Sequence, residues 1–311
     1  MKIIFLGTPN FGAIVLEKLL KNKIKPALVI TKPDKALGRR KIITPPPVKI
    51  LAEKYGIDFL QPDSIENIHK ELNEINPDLI IVAAYGEIIP KKILQIPKYG
   101  CLNVHPSLLP KYRGASPLQF TILKGDEETG VTLILITEKM DEGPILGQSK
   151  IKIENKKILP KDLEKKLAEL GADLLVKTIP QWIKKKIKPK KQNEKEATYT
   201  KIIEKKDGKI DWSKPAEYIE RQIRAFHPWP GSFCKADDKM LKILKAFTLK
   251  QTDVSPKGPL GKTYLATNEQ IAVQCGKDYL IIEELQFEGK KKMTARDFLK
   301  GNINFIGKIL K

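Results

Sequence analysis

Asn103 and His105 stand two residues apart in the run Asn103-Val104-His105-Pro106-Ser107-Leu108-Leu109-Pro110-Lys111-Tyr112-Arg113-Gly114-Ala115-Ser116-Pro117. They emerge at the end of an apolar stretch, and on a strand that spacing projects both side chains to one side. A second polar stretch, Glu138-Lys139-Met140-Asp141-Glu142-Gly143-Pro144, follows another apolar run. If those two strands are close neighbours, Asp141 meets His105. An Asn, a His and an Asp on adjacent strand ends suit transfer of an acyl group to an amine. The Asn103 amide can donate to the oxygen that becomes negative, and an imidazole is the side-chain type suited to taking the proton that the amine must lose. Asp141 would hold the His105 ring in one tautomer. No serine or cysteine nucleophile is required when the acyl donor arrives activated. The plainer alternatives are a structural hydrogen-bonding role for His105 and a turn-capping role for Asp141. Of the other histidines, His69 lies in a polar helical run and reads as exposed, and His227 lies in a Pro-rich turn where packing is favoured.

The elements that must hold these residues alternate. Strand-like stretches at 2–6, 27–30, 78–84, 101–104 and 130–136 are separated by helical patterns near 10–20, 48–55 and 117–124, and a helix over 160–184 follows. Near-continuous apolar strands separated by helices imply a mostly parallel sheet covered on both faces, an α/β domain of Rossmann-like type. Such sheets bind ligands at the carboxyl ends of their strands, where strand order reverses. The first turn reads Leu6-Gly7-Thr8-Pro9-Asn10-Phe11-Gly12, without the G-x-G-x-x-G of a dinucleotide site, and the chain has no phosphate-cradling G-x-x-x-x-G-K-[ST], which speaks against NAD and ATP. Gly7 reads as a tight turn that lets the chain pass close to a ligand. Beyond 206, one helical segment near 216–226 and short strand-like pieces with turn residues between them predict a small antiparallel barrel of OB type.

The chain has 311 residues, enough for two domains with their own cores. Three cysteines, Cys101, Cys234 and Cys275, are far apart and lack CxxC spacing, which argues against a zinc cage or a disulfide framework and fits a reducing cytosol. No apolar run approaches the ~20 residues of a membrane span. Net charge is +20. That balance suits a polyanionic partner, nucleic acid ahead of anionic membrane, although a Lys- and Ile-rich composition would produce much of it too. Between 184 and 206 the sequence turns sharply basic and reads as a linker, either a solvated spacer or a segment that tracks a nucleic-acid backbone.

Together, Phe5-Leu6-Gly7-Thr8, Ala84-Tyr85-Gly86, Asn103-x-His105-Pro106-Ser107-Leu108-Leu109-Pro110, Tyr112-Arg113-Gly114-Ala115-Ser116-Pro117 and Met140-Asp141-x-Gly143 resemble the folate-dependent formyltransferases, and the resemblance covers almost the whole chain. It implies a formyltransferase catalytic domain over 1–188, a basic linker over 189–206 and an OB-like tRNA-binding domain over 207–311. Asn103, His105 and Asp141 fall on the family's catalytic positions. 10-Formyltetrahydrofolate, the formyl donor, would lie beside Ser107, Leu108, Leu109 and Pro110 and beside the loop carrying Tyr85, Gly86, Ile88 and Ile89, where backbone groups could bond the pterin. Two features resemble the branch of the family that acts on initiator methionyl-tRNA. One is the basic, Pro-bounded segment 33–47, in which Arg39, Arg40 and Lys41 would contact phosphates; the plainer alternative is a surface loop, and two adjacent arginines in an Arg-poor chain favour binding. The other is Ile223-Arg224-Ala225-Phe226-His227-Pro228-Trp229-Pro230-Gly231, in which Arg224 would contact tRNA or pack at the domain boundary. The implied activity is formyl transfer to the α-amine of methionine on the initiator tRNA, in a cytoplasmic monomer without metal or membrane. A sugar amine or another small amine is the alternative acceptor.

Overall fold

The computed structural model describes residues 1–311 except 39–40, 251–257 and 267–268. In chain order the regular elements of the first part are β1 (Ile3–Gly7), α1 (Asn10–Lys21), β2 (Leu28–Ile30), β3 (Lys35–Leu37), β4 (Ile42–Thr44), α2 (Pro47–Lys54), β5 (Phe59–Leu60), α3 (His69–Ile75), β6 (Leu79–Ala83), α4 (Lys91–Leu94), β7 (Cys101–His105), β8 (Arg113–Gly114), α5 (Pro117–Lys124), β9 (Glu128–Leu135), β10 (Ile145–Lys152), α6 (Pro160–Ile183) and β11 (Tyr199–Thr200). They are followed by α7 (Ala216–Ala225), β12 (Ser232–Ala236), β13 (Lys239–Leu249), β14 (Thr263–Ala266), β15 (Gln270–Gln274), β16 (Tyr279–Phe287), β17 (Met293–Thr294) and α8 (Ala295–Lys300).

The chain divides into two compact units. The first comprises 1–117, 128–153 and 161–201, and the second 118–127, 154–160 and 202–311. The first is built on a seven-stranded sheet of order β10-β9-β7-β6-β1-β2-β5. Six strands share one direction, and only β9, between β7 and β10, runs against them. Every residue of β1 and of β6 is buried, which is why these strands read as unbroken apolar runs; each fully buried Ile or Leu contributes roughly 1.5–3 kcal/mol. Strand order reverses between β1 and β6. Gly7 is the last residue of β1, paired with Ala83, and a side chain there would press on the Ala83 carbonyl at 3.0 Å. It lies on the strand rather than in the tight turn predicted, and its smallness serves the close packing of β1 on β6.

Helix α6 supports the strand that carries Asn103 and His105. Its buried residues Leu163, Leu167, Ala168, Gly171, Ala172, Leu175, Thr178 and Ile179 recur at helical spacing along one face. At Gly171 a Cβ would come within 2.6 Å of Val104. The helix thus lies hard against β7 on the side of Val104, which leaves Asn103 and His105 to the opposite side. Glu164 of the same helix accepts the Phe11 amide at 3.1 Å, at the start of α1. Burial raises the Glu164 carboxyl above its usual range, against the lowering effect of that bond.

The segment expected to be a linker is largely part of the first unit. Lys190 pairs with Ile145 in both directions, at 2.9 and 2.8 Å, and β11 runs parallel to β8, Tyr199 opposite Arg113 and Thr200 opposite Gly114. In the second unit the described strands form an antiparallel sheet of order β12-β13-β16-β15-β14, with β17 on β16. One face of that sheet (Leu241, Ile243, Ile271, Val273, Leu280, Ile282 and Leu285) packs with Ala216, Ile219 and Ile223 of α7 and with Phe298 and Leu299 of α8. Among the described residues no ladder joins β14 directly to β12, but the segment 308–311 bridges them: Lys235 and Lys311 exchange backbone bonds at 2.6 and 2.9 Å, while the Thr263 amide donates to the Lys308 carbonyl at 2.8 Å and the Leu310 amide to the Gly261 carbonyl at 2.9 Å, which closes the sheet into the small barrel expected here. The three cysteines are free and buried. No helix among the described residues is long and apolar enough to cross a membrane.

Candidate functional site

Asn103 and His105 lie on β7, whose neighbours are β6 and β9; Asn103 faces Ile134 and His105 faces Thr132 in the β9 register. Asp141 joins them by a route the sequence does not reveal. Because β9 is antiparallel, its end at Leu135 lies opposite Leu102, and the turn after it reaches back along β7. Asp141 Oδ1 ends 3.4 Å from Asn103 Nδ2 and 3.6 Å from His105 Nδ1. The three meet as predicted, Asp141 arriving on a turn that folds back along β7 after an antiparallel neighbour.

His105 is oriented from its far side. Its Nε2 lies 3.0 Å from the Tyr112 carbonyl, and a carbonyl can only accept, so Nε2 carries the hydrogen. The neutral ring therefore presents an unprotonated Nδ1 toward Asp141. The tautomer is set by Tyr112, where the sequence suggested Asp141. Asp141 is held in turn by the Gly114 amide, which donates to Oδ2 at 2.8 Å. Tyr112, Gly114 and Asp141 all have positive φ, of 63°, 105° and 55°. For Tyr112 this left-handed conformation costs of order 1–2 kcal/mol, and less for Asp141, a residue type that visits it more readily. The surrounding contacts sustain it. At Gly143 a Cβ would stand 1.7 Å from the Leu135 carbonyl, so the turn requires glycine there.

Arg113, between Tyr112 and Gly114, is fully buried. Its five N–H groups reach Gln192 Oε1 (3.1 and 2.9 Å), both carboxylate oxygens of Glu194 (2.8 Å each) and the Tyr199 hydroxyl (3.0 Å). Glu194 keeps the guanidinium charged, raising its pKa, and Arg113 beside it lowers that of the Glu194 carboxyl. Gln192, itself buried, donates through Nε2 to the carbonyls of Asp141 (2.7 Å) and Gly143 (2.8 Å). Thr198 and Thr200 fasten the same segment to β8.

The two stretches expected to hold folate are rigid. Ser107 donates to the Lys111 carbonyl at 2.6 Å, and Thr132 Oγ1 donates to the Ser107 carbonyl and accepts the Leu109 amide. Gln148 donates to the Leu109 carbonyl at 2.8 Å, and Pro110 O accepts from Thr198. Much of this loop's backbone is spent internally, so Ser107, Leu108, Leu109 and Pro110 offer a fixed shape more than the free hydrogen-bonding groups expected of them. In the other stretch Tyr85 and Ile89 point into the core beside Ile93 and Leu72, whereas Ile88 is 70% exposed and Gly86, at φ 86°, has open space around it. Only Gly86 and Ile88 of that set face outward. The loop is tied down by Glu87, which accepts from Ser64 Oγ (2.7 Å) and the Ile65 amide (3.2 Å) and pairs with Lys32.

The residues expected to contact phosphates separate. Arg39 and Arg40 lie outside the described residues. Lys41 is exposed at the turn of a hairpin formed by β3 and β4, a paired ribbon where the sequence suggested a Pro-bounded loop. Arg224 is committed within the second unit: Glu220 takes its Nε and Nη2 at 2.6 and 2.8 Å and Ile158 O its Nη1 at 3.2 Å. With its charge paired and its side chain 14% exposed, it packs rather than presenting a free cation. Trp229 is exposed. Among the described residues no three His, Cys, Asp or Glu side chains gather as metal ligands. Thr132, Gln148, Gln192 and Glu194 were not anticipated; the nearest signal was the three glutamates inside the Lys-rich segment, Glu194 among them.

Comparison with known proteins adds to this geometry. The model of the formyl transferase family matches residues 1–179, and that of the formyl transferase C-terminal domain matches 202–302. The methionyl-tRNA formyltransferase of Caldanaerobacter subterraneus subsp. tengcongensis is 43% identical over 314 residues, covering 100% of both chains. That of Caldicellulosiruptor saccharolyticus is 44% identical over 307 residues, 97% of each. Among solved structures, an N-formyltransferase from Helicobacter canadensis, in complex with folinic acid and dTDP-3-aminofucose, superposes with a TM-score of 0.66 at 24% identity, covering 91% of this chain and 98% of that one. At that identity the likeness is one of fold.

Proposed function

The chain belongs to the methionyl-tRNA formyltransferase family, and from that premise we propose that it transfers the formyl group of 10-formyltetrahydrofolate to the α-amine of methionine on the initiator tRNA, as a cytoplasmic monomer. The observation that carries the mechanism is the trio at β7: two proton acceptors, His105 Nδ1 and Asp141 Oδ1, 3.6 Å apart, beside one donor, Asn103 Nδ2. That set fits an amine adding to a carbonyl. The donor molecule supplies a formyl group already activated by its nitrogen, so no side chain need first take the formyl group. Asn103 has one N–H lying loosely toward Asp141 and a second free to meet the formyl oxygen as it becomes negative. His105 Nδ1, with Asp141 beside it, receives the proton lost by the attacking amine. His105 can then return that proton to the departing folate nitrogen, which leaves the ring as it began. The stiff loop 107–110 and the outward Gly86 and Ile88 form the wall against which the pterin lies, and the β3–β4 hairpin with Lys41 contacts the acceptor stem.

The test is formyl transfer from 10-formyltetrahydrofolate to purified initiator methionyl-tRNA, beside elongator methionyl-tRNA and a nucleotide-linked amino sugar. Transfer confined to the initiator tRNA is the expected result. Transfer only to the sugar would leave the chemistry standing and replace the acceptor.

A further inference from the structure

Building on the proposed reaction, we propose that Gln192 is a positioning residue for Asp141, acting through the backbone of the turn that carries it. Asp141 is held from two directions. Its carboxylate is fixed by the Gly114 amide, whereas its carbonyl, together with that of Gly143, is fixed by the two hydrogens of the Gln192 amide nitrogen. Those hydrogens cannot be exchanged for the amide oxygen, because Gln192 Oε1 accepts two N–H groups of Arg113. Arg113 sits between the residue that orients His105 and the residue that orients the Asp141 carboxylate. One buried guanidinium thereby references both halves of the catalytic pair to a single strand, with Gln192 as the bridge to the turn.

The turn needs this bridge. Asp141 adopts a left-handed φ of 55°, which Asp tolerates better than most residues with a Cβ but which is still held in place here by the anchors of its turn. With the bridge removed, the backbone relaxes, and the carboxylate moves relative to Nδ1 and Nδ2 while the folate wall at 107–110, held separately by Thr132 and Gln148, keeps its shape. The signature is thus loss of turnover without loss of substrate binding.

Gln192→Glu separates this role from simple satisfaction of Arg113. A carboxylate still accepts from Arg113 but has no hydrogen for the Asp141 and Gly143 carbonyls. In the full chain, kcat for formyl transfer falls roughly 30-fold or more while KM for the folate and for the tRNA stay within about threefold. Independently of activity, exchange of the Gly114 amide hydrogen, protected by Asp141 in the wild-type chain, accelerates about tenfold or more. Gln192→Leu, which cannot ionise, gives the same pattern. Wild-type kcat and wild-type Gly114 protection in Gln192→Glu would overturn the proposal, as would losses in KM and protection spread over the whole unit. If the wild-type chain transfers no formyl group to tRNA, the proposed function falls, and Gly114 exchange still decides the positioning role.

Discussion

Replacing Asp141 by Asn changes one atom and one charge, and the structure sets the size of the effect. Asn tolerates the left-handed backbone that Asp141 adopts, and its side-chain oxygen can still accept the Gly114 amide. What is lost is the negative charge 3.6 Å from His105 Nδ1. With an effective dielectric of about 20 that charge stabilises an imidazolium at this distance by ~4.6 kcal/mol. Part of it is already offset by the Gly114 amide and the Asn103 amide, so ~2–4 kcal/mol of the barrier is expected to depend on it, or ~30- to ~1000-fold in rate. Solvent screening is slight, since the two side chains are 5% and 13% exposed. Steady-state formylation at saturating folate and tRNA measures kcat, and thermal melting reports the fold. The expected result is a kcat lower by that factor, with a midpoint within a few degrees of wild type. A kcat within about threefold of wild type would refute the reasoning, because an unpaired imidazolium would then form as readily as a paired one.

Gly143→Ala should disturb the same turn by force, since the new methyl would lie 1.7 Å from the Leu135 carbonyl; a loss of ~2 kcal/mol or more in stability and a more than tenfold loss in kcat are expected. Glu164→Gln tests the buried carboxyl on α6. Burial raises its pKa, so in the folded chain the proton is favoured, and wild-type stability declines as pH rises from the ordinary value of 4.5 through the raised one. The variant keeps an acceptor for the Phe11 amide and has no charge to bury. Its melting point should match wild type below that window and exceed it at neutral pH, and a pH-independent difference would remove the account. Lys41→Ala should weaken initiator tRNA binding and lower the slope of log affinity against log salt by about 0.9, measured by filter binding; an unchanged slope would detach the hairpin turn from the phosphates.

Some of this was readable from residue type and spacing, and some was not, for physical reasons. The apolar runs of β1, β6 and β7 and the two-residue spacing of Asn103 and His105 identify a strand and its exposed side, because both are local properties. The direction of β9 is not local: an apolar strand reads the same either way, and only the register, with Leu135 opposite Leu102, shows how its turn returns to His105. The family resemblance marks Tyr85 and Ile89 as ligand contacts, yet most of the core they pack into, such as Ile4, Leu6, Ile30 and Leu72, lies far away in sequence. Gln192 is hidden for the same reason, its partners being 49, 51 and 79 residues distant, in a stretch whose lysines suggest solvent. Arg224 is the reverse case. Glu220 stands four residues before it on α7, and that spacing alone foretells the ion pair that occupies it.

The strap formed by residues 190–201 also bears on the order in which the chain is made. The trio and its turn, from β7 to Gly143, leave the ribosome some 50 residues before Gln192, and helix α6 follows by 183, so the sheet and its supporting helix can assemble while Asp141 lacks its backbone anchor. The centre is completed only when Gln192, Glu194 and the two threonines emerge. A fragment ending at 188 would retain the sheet but none of these fasteners, whereas one ending at 201 would contain the first unit whole. The covalent limit of the catalytic body is therefore set by its last clasp, thirteen residues past the boundary that composition suggests.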